Sequence, residues 1–338
     1  MAIAGAPHVG VTFAGLMGGG PALAPRVAAR ADELGYSSFW TAETTGPEAF
    51  SILAAAGAAA PGIGLGTGVL ALQLRTPMVV AMGGATLQAL HPDAEVLLGV
   101  GISSPVVATQ WHGVDWGDRP LGRVREYVAL VKACLAGDVV THQGDHYDVR
   151  RFRLGVTLGD RRPQVVIGAL NERMLRLAGE VADGVLLNYV PASHVPWSVG
   201  QVRAGEAAAG RPAGDCTVYG YVHVGVGDRA AAREPARRDL FSYAVVDSYA
   251  ANFRRAGFAD EVDAIRAAHA ERDRAGALAA VSDRFIDAID IVGDAAHVAA
   301  AVAAYVGAGV DVPVVMPLPW GPDRWAVIDA TLRGAIGA

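Results

Sequence analysis

The chain has 338 residues, of which 52% are hydrophobic and 18% are charged, and its formal net charge is −6. This apolar fraction supplies a substantial core and excludes an intrinsically disordered protein. The acidic balance, with no run of Lys and Arg, offers nothing that would attract a phosphate backbone. We therefore expect a globular protein that binds a small-molecule substrate and no nucleic acid.

The sequence shows no membrane span, because its most apolar long stretch, 49–80, is interrupted by Pro61, several glycines and Arg75. The N-terminal letters MAIAGAPHVG lack the basic flank and the continuous apolar core of a signal peptide. Cys134 and Cys216 are far apart, and neither has a second ligand at metal-binding spacing. We expect a cytoplasmic protein with reduced thiols, no metal site and no membrane partner.

Strand-like segments alternate with helical ones along the whole chain. Helical patterns cover 22–35, 47–60, 76–90, 125–137, 171–182, 195–209 and 294–310. The predicted strands are HVGVTF (8–13), SSFWTA (37–42), IGLGTGVLAL (63–72), AEVLLGVG (94–101), PQVVIGA (163–169), DGVLLNYV (183–190), CTVYGYVHVGV (216–226) and DVPVVMPL (311–318).

These strands are apolar on both faces, which is typical of a parallel sheet covered by helices. Eight such units without a linker-like stretch favour a (β/α)8 TIM barrel over an open doubly wound sheet. Residues 229–292 are charge-rich, helix-patterned and too long for an ordinary loop. We interpret them as a helical insertion before the last strand of a single domain, 1–338. THQGDHYDVRRF, with His142 and His146, predicts a surface hairpin.

Glycines recur where the predicted strands end, at 64, 66 and 68, at 99 and 101, and at 168. Glycine weakens a strand, so a repeated cost at neighbouring strand ends needs a reason. In a barrel of this kind the active site lies at the C-terminal ends of the strands. Two interpretations stay open: the glycines form a bare main-chain floor for a planar ring, or they let a helix pack close to the sheet.

Two side chains near these strand ends are candidates for acid–base chemistry. His112 follows the fourth predicted strand, and the ordinary pKa of imidazole suits proton transfer at neutral pH. Glu43 follows the second strand, where a carboxylate often belongs to the site. The alternatives are a structural His112 bonded to the backbone, and a Glu43 that caps the next helix, as Thr44 or Thr45 could. Asn171 stands where a helix begins after Gly168, a place that can bind an anion.

Three stretches carry a resemblance to a known family: GTGVLALQLRTPMVVAM, VLLGVGISSPVVATQWHGVDWGDRPLGRVREYV and RMLRLAGEVADGVLLN. They resemble the luciferase-like monooxygenase superfamily, more specifically its oxidoreductases dependent on coenzyme F420, a 5-deazaflavin, as found in actinobacteria. The similarity spans about residues 8 to 320. It implies a TIM barrel with an insertion, and a non-prolyl cis peptide at Gly68–Val69 that supports the cofactor ring.

The resemblance also implies site residues. Gly101, Ile102 and Ser103 would lie near the ring, while the phosphate would be surrounded by Gly168, Ala169, Leu170, Asn171 and Asn188. One departure concerns the sugar-phosphate dehydrogenases of the family, which have an Asp-His pair where this chain has Glu43 and Thr44. Their acidic residue after the fourth strand is replaced by Ile102. The resemblance therefore does not imply their substrate or their route of proton transfer.

These features predict an enzyme that transfers a hydride between C5 of the deazaflavin and a small organic substrate, for which the cofactor supplies the redox chemistry. Glu43 would contact the cofactor or relay a proton, and His112 would be the acid or base. Trp40 and Trp111 would be walls of the pocket. The alternatives are an FMN-dependent monooxygenase and a non-catalytic flavin or deazaflavin carrier. A homodimer is expected from the habit of the family.

Overall fold

The computed structural model describes residues 8–338; residues 1–7, which carry most of the segment predicted not to be a signal peptide, lie outside the described residues. The strands of the described part are β1 (Gly10–Thr12), β2 (Ser38–Thr41), β3 (Gly64–Thr67), β4 (Leu70–Ala71), β5 (Val96–Gly101), β6 (Val140–Gln143), β7 (Asp148–Phe152), β8 (Gln164–Gly168), β9 (Gly184–Leu187), β10 (Thr217–Val226), β11 (Ile291–Gly293) and β12 (Val312–Pro317).

Helices follow the strands along the chain. They are α1 (Leu23–Glu33), α2 (Ala49–Ala59), α3 (Pro77–Leu90), α4 (Pro120–Ala136), α5 (Glu172–Val181), α6 (Val195–Ala208), α7 (Arg229–Ala244), α8 (Asp247–Phe253), α9 (Ala259–Ala270), α10 (Arg274–Ala279), α11 (Asp283–Ile289), α12 (Ala295–Gly307) and α13 (Arg324–Ala335). Short 3-10 helices lie at Ala14–Gly19 and Ala192–His194, and π-helical turns at Val106–Trp111 and Arg254–Phe258.

The fold is a closed (β/α)8 barrel of parallel strands with surrounding helices, as predicted. The chain divides into two compact units. Unit one comprises Met1–Ala169, Arg173–Leu186 and Gln201–Thr217, and unit two comprises Leu170–Glu172, Leu187–Gly200 and Val218–Ala338. In unit one the parallel order is β1-β2-β3-β5-β8-β9, and in unit two β10 pairs in parallel with both β11 and β12. The assignment of the whole chain to one domain stays a prediction.

The third predicted strand is divided into β3 and β4 by a cis peptide bond between Gly68 and Val69, which confirms that prediction. Both pieces pair with β5, since Leu65 lies opposite Val96 and Leu70 lies opposite Val100. The chain thus leaves the sheet for two residues at the carboxyl end of the strand and then returns to it.

The helical insertion is confirmed, with α7 to α11 between residues 229 and 289. It has an aromatic core of its own, in which the ring of Phe285 packs 4.9 Å from Phe253 and 4.6 Å from Phe258. The short strand β11 follows the insertion and pairs with the end of β10. The insertion therefore leaves unit two's sheet after β10 and rejoins it at Ile291.

Smaller predictions about local structure also have outcomes. The hairpin is confirmed, as β6 and β7 pair antiparallel and the Glu126 carboxylate accepts hydrogen bonds from His142 Nε2 and the His146 backbone. Cys134 and Cys216 are buried free thiols. No helix of the described residues has both the length and the apolar character needed to cross a membrane.

Candidate active site

The strand-end glycines of unit one are closely packed. A Cβ atom on Gly66 would lie 2.4 Å from the Trp40 ring, and one on Gly99 would lie 1.8 Å from the carbonyl oxygen of Thr67. Both distances are far inside van der Waals contact, so no side chain fits at either position. Gly66 thus faces the Trp40 ring of β2 and Gly99 faces a backbone carbonyl of β3, so neither the bare floor nor the close approach of a helix is found at these two positions.

The other rim glycines make room for one side chain, Val69. A Cβ on Gly101 would lie 2.9 Å from Val69 Cγ2, and a Cβ on Gly168 would lie 3.1 Å from Val69 Cγ1. A Cβ on Gly99 would also lie near Val69, at 3.3 Å from the same Cγ1. The Gly68–Val69 bulge therefore places a partly exposed valine in a hollow that glycines of β5 and β8 leave open. Four of the predicted cofactor residues, Gly68, Val69, Gly101 and Gly168, are thus brought together.

Trp40 does not line a pocket, contrary to the sequence expectation. It is fully buried in β2, its ring lies against Gly66, and its Nε1 donates a hydrogen bond of 2.9 Å to Ser38 Oγ. The glycine of β3 provides the space that this ring fills. Trp111 is 58% exposed at the end of the π-helical turn after β5.

Glu43 is held by a cation and by a helix. Arg75, between β4 and α3, donates from Nε to Oε1 at 2.9 Å and from Nη2 to Oε2 at 2.8 Å, a two-point contact that fixes the carboxylate plane. Oε2 also accepts from the Ala49 backbone N–H at 3.1 Å, where α2 begins. The hydrogen bond to Glu43 raises the pKa of Arg75 above its ordinary value. The geometry supports the capping alternative. The N-cap residue of α2 is Glu48, whose carboxylate accepts hydrogen bonds from two further backbone N–H groups of the same first turn.

His112 lies beside the loop that carries Glu43. Its Nε2 is 2.7 Å from the carbonyl oxygen of Thr44, and its side chain is exposed. Because a carbonyl oxygen only accepts, Nε2 carries the hydrogen and Nδ1 keeps the lone pair in the neutral ring. The structure brings the loops after β2 and β5 together through this contact, and Nδ1 makes no hydrogen bond within the described residues.

The backbone of Ser103 is hydrogen-bonded to two side chains, Gln73 and Trp116, and Gln73 has an N–H group without a partner among the described residues. The Ser103 backbone N–H donates to Gln73 Oε1 at 3.3 Å, and its carbonyl oxygen accepts from Trp116 Nε1 at 2.6 Å. Gln73 Nε2 is buried and has no hydrogen-bond partner among the described residues. A buried donor without an acceptor is costly. Ile102, next to Ser103, is half-buried.

Unit two holds the later phosphate candidates, and a cation contacts two of them. Arg255 donates from Nη2 to the Leu170 carbonyl oxygen at 3.2 Å and to Asn171 Oδ1 at 2.5 Å, and its guanidinium lies 5.1 Å from the centre of the Trp197 ring. Nε and Nη1 of Arg255 make no hydrogen bond within the described residues. These two nitrogens leave donors for an anion at the place that the resemblance assigns to the phosphate.

Two phosphate candidates are engaged inside the protein. Asn188 Oδ1 lies 2.9 Å from His223 Nε2, so that this oxygen already takes part in a hydrogen bond within unit two. Ala169 is buried, and its backbone N–H donates to Leu186. Their contact with a phosphate stays a prediction.

Sequence reasoning missed three residues of the site: Arg75, Gln73 and Arg255. The first two stand in the quoted stretch ALQLRTP, where a polar residue between a strand and a helix was the available signal. Arg255 gave no signal, because 84 residues separate it from Asn171. A cavity of about 250 Å³ between α4 and α5, which Arg125 and Glu180 help to line, contains none of the predicted site residues.

A (β/α)8 barrel with polar side chains gathered at the carboxyl ends of its strands has the layout of a barrel enzyme. The sequence matches the luciferase-like monooxygenase family over residues 9–312, and the chain belongs to that family.

Coenzyme F420 stands in the name of one relative of this chain and of one solved structure with a similar fold. It is 30% identical over 312 residues to a protein of Mycobacterium tuberculosis named as a coenzyme F420-dependent oxidoreductase, covering 85% of this chain and 88% of that one. It is 27% identical over 311 residues to 5,10-methylenetetrahydromethanopterin reductase of Methanolobus tindarius, covering 91% and 93%. The structure of coenzyme F420-dependent tetrahydromethanopterin reductase from Methanopyrus kandleri has the same fold, with a TM-score of 0.80, 22% identity and 97% of both chains covered.

Proposed function

We propose that this protein is a coenzyme F420-dependent oxidoreductase that transfers a hydride between the deazaflavin and a small organic substrate. Family membership and the names of the relatives support the cofactor class. The observation that carries the proposal is Gln73 Nε2, a buried donor without an acceptor at the end of β4. The pyrimidine part of a deazaflavin has carbonyl oxygens that can accept such a hydrogen bond.

The residues of the rim suit such a ring. Val69, seated among glycines and partly exposed, would support one face of it, and Gln73 would bind a ring oxygen while Ser103 is held in place beside it. In unit two, the remaining donors of Arg255 would bind the phosphate.

Proton transfer falls to His112 in this proposal. The bound cofactor supplies hydride chemistry at C5. His112 Nδ1 would act as the acid or the base: it would donate a proton when the substrate is reduced and accept one when the substrate is oxidised. The Thr44 carbonyl oxygen would hold the imidazole ring in place through Nε2. Glu43, tied to Arg75 and to α2, holds the Thr44 loop in position. Because the Asp-His pair of the sugar-phosphate dehydrogenases is replaced here, the substrate belongs to another class of small organic molecule.

The direct test is a fluorescence titration of the protein with F420 and, separately, with FMN. We expect saturable binding of F420, and we expect Gln73→Ala to weaken it about tenfold through loss of one hydrogen bond to the ring. Gln143→Ala, on the exposed hairpin strand β6, is the matched control and should bind as the wild type does.

Absence of F420 binding would overturn the proposal. Oxygen consumption with reduced FMN would favour the monooxygenase alternative instead, and cofactor binding without any hydride transfer would favour a carrier. The expected homodimer is part of the same proposal, and light scattering coupled to gel filtration tests it independently.

A further inference from the structure

A second polar cluster lies inside unit two, and it consists of His223, Asp239 and Asp290. His223 stands on β10, Asp239 on α7, and Asp290 directly after α11. One possible ligand atom of each residue lies within 4.8 Å of the other two. His223 and Asp290 are buried, with side-chain exposures of 2% and 0%, and Asp239 is half-buried.

Both ring nitrogens of His223 face oxygen atoms. Nε2 lies 2.9 Å from Asn188 Oδ1, and Nδ1 lies 3.2 Å from Asp290 Oδ1. A neutral imidazole has one hydrogen and can donate to only one of these oxygens, so the other contact needs a further proton or a metal ion. When Nε2 donates to Asn188, Nδ1 keeps the lone pair that a metal ion would take. An imidazole held through its other nitrogen is also the usual arrangement of a metal-binding histidine.

Within the described residues, no cation reaches this cluster. Neither Asp239 nor Asp290 has an Arg or Lys partner there, and Asp290 Oδ2 receives no hydrogen bond from them. Two carboxylates buried side by side without a cation are unfavourable.

We propose that His223 Nδ1, Asp239 and Asp290 bind one divalent transition-metal ion of the zinc class. One imidazole nitrogen and two carboxylate oxygens are ligands that Zn²⁺ prefers, at about 2.0–2.2 Å, and ligand atoms that are 3.2 Å apart suit a common ion. Tyr189 donates from its hydroxyl to Asp239 Oδ2 at 2.8 Å and so orients that carboxylate. Half-buried Asp239 gives the ion a way in.

The ion would fasten the helical insertion to the sheet of unit two. Asp239 belongs to the first helix of the insertion and Asp290 follows its last helix, while His223 belongs to the strand from which the insertion departs. A metal ion bound to all three residues would connect the first helix and the end of the insertion to the strand β10. Because the unfolded chain has no such preformed site, binding stabilises the folded protein.

The test uses the full untagged chain, treated with a chelator, freed of the chelator and then mixed with one equivalent of Zn²⁺ or Co²⁺. We expect one ion per chain by elemental analysis after gel filtration, visible absorption bands of four- or five-coordinate Co²⁺, and a rise in Tm of about 4 °C or more. Asp239→Asn, Asp290→Asn and His223→Gln should each weaken Zn²⁺ binding at least tenfold.

The matched control is His142→Gln. His142 Nε2 lies 2.8 Å from Glu126 Oε1, a histidine and carboxylate pair closer than that of His223 and Asp290, and it has no third ligand in the described part of the chain. This variant should keep one Zn²⁺ per chain. The proposal is wrong if the wild type takes up no stoichiometric ion, if the three variants bind as it does, or if His142→Gln loses the ion. Should His223→Gln fail to fold, the two aspartate variants and the Co²⁺ spectrum decide.

Discussion

The polar groups of the unit-one rim and the buried cluster of unit two contain similar residues in opposite electrostatic situations. At the rim, the Glu43 carboxylate has a two-point contact with Arg75 and a backbone N–H. In the cluster, Asp290 faces the lone pair of His223 and has no cation from the described protein. A carboxylate of the first kind has its counter-charge and its hydrogen bonds, and it orients the groups around it. A carboxylate of the second kind needs a proton or a metal ion.

The two histidines differ in the same way. His112 donates from Nε2 to a carbonyl oxygen and keeps an exposed Nδ1, so that it can exchange a proton with a substrate or with water. His223 has Nε2 2.9 Å from an amide oxygen and a buried Nδ1 3.2 Å from a carboxylate oxygen of Asp290. The environment of Nδ1 therefore separates a candidate for proton transfer from a candidate for metal binding.

The largest expected effect concerns the packing of the rim. Gly99→Ala places a Cβ 1.8 Å from the Thr67 carbonyl oxygen, which belongs to the backbone and cannot rotate away. We expect a loss of at least about 3 kcal/mol in the free energy of unfolding, at the upper end for an overpacked site. Urea unfolding measures it. Gly18→Ala, where nothing lies within 4 Å, is the control and should change stability by less than about 0.5 kcal/mol.

Replacement of the exposed histidine tests its proposed role in proton transfer. His112→Ala should lower the rate of hydride transfer about 100-fold, equivalent to about 2.7 kcal/mol in the barrier, and leave F420 affinity nearly unchanged. Stopped-flow absorbance of the deazaflavin measures the rate. His146→Ala, on the hairpin, should react as the wild type does, and an unchanged rate in His112→Ala would remove this residue from the mechanism.

Local patterns in the sequence predicted the barrel, and distant contacts were beyond their reach. The eight strands and the insertion followed from runs of apolar residues and from helical spacing. These patterns depend on residues that are close together in the sequence. The direction in which Gly66 or Gly99 faces depends on strand register and on the Trp40 rotamer, so the sequence left two interpretations open. His223 stood inside an apolar strand, and its partners at 239 and 290 come from the two ends of an insertion, so spacing could not indicate a metal site.

Removal of the rim cation should make Glu43 resemble Asp290. Arg75→Met keeps the apolar stem and leaves a carboxylate that is only 14% exposed without its partner. We expect the free energy of unfolding to fall by about 2 kcal/mol, because a desolvated charge loses its counter-charge. Addition of Glu43→Gln to this variant should recover part of the loss. If the double variant loses more free energy of unfolding than the two single variants lose together, the pair is not coupled in this way.

The smallest effect has the opposite sign, and it distinguishes the two regions most directly. Above pH 8, where Asp290 is charged because burial raises its pKa to about 8, Asp290→Asn removes an unpaired buried charge, and its new amide N–H can donate to His223 Nδ1. In chelator-treated protein we therefore expect a gain of about 1 kcal/mol in the free energy of unfolding, whereas Glu43→Gln, which removes a paired charge, should lose about 1 kcal/mol. Urea unfolding of both variants and the wild type gives the comparison. A loss in Asp290→Asn under metal-free conditions would show that the protein already compensates this carboxylate, and the electrostatic contrast between rim and cluster would then be wrong.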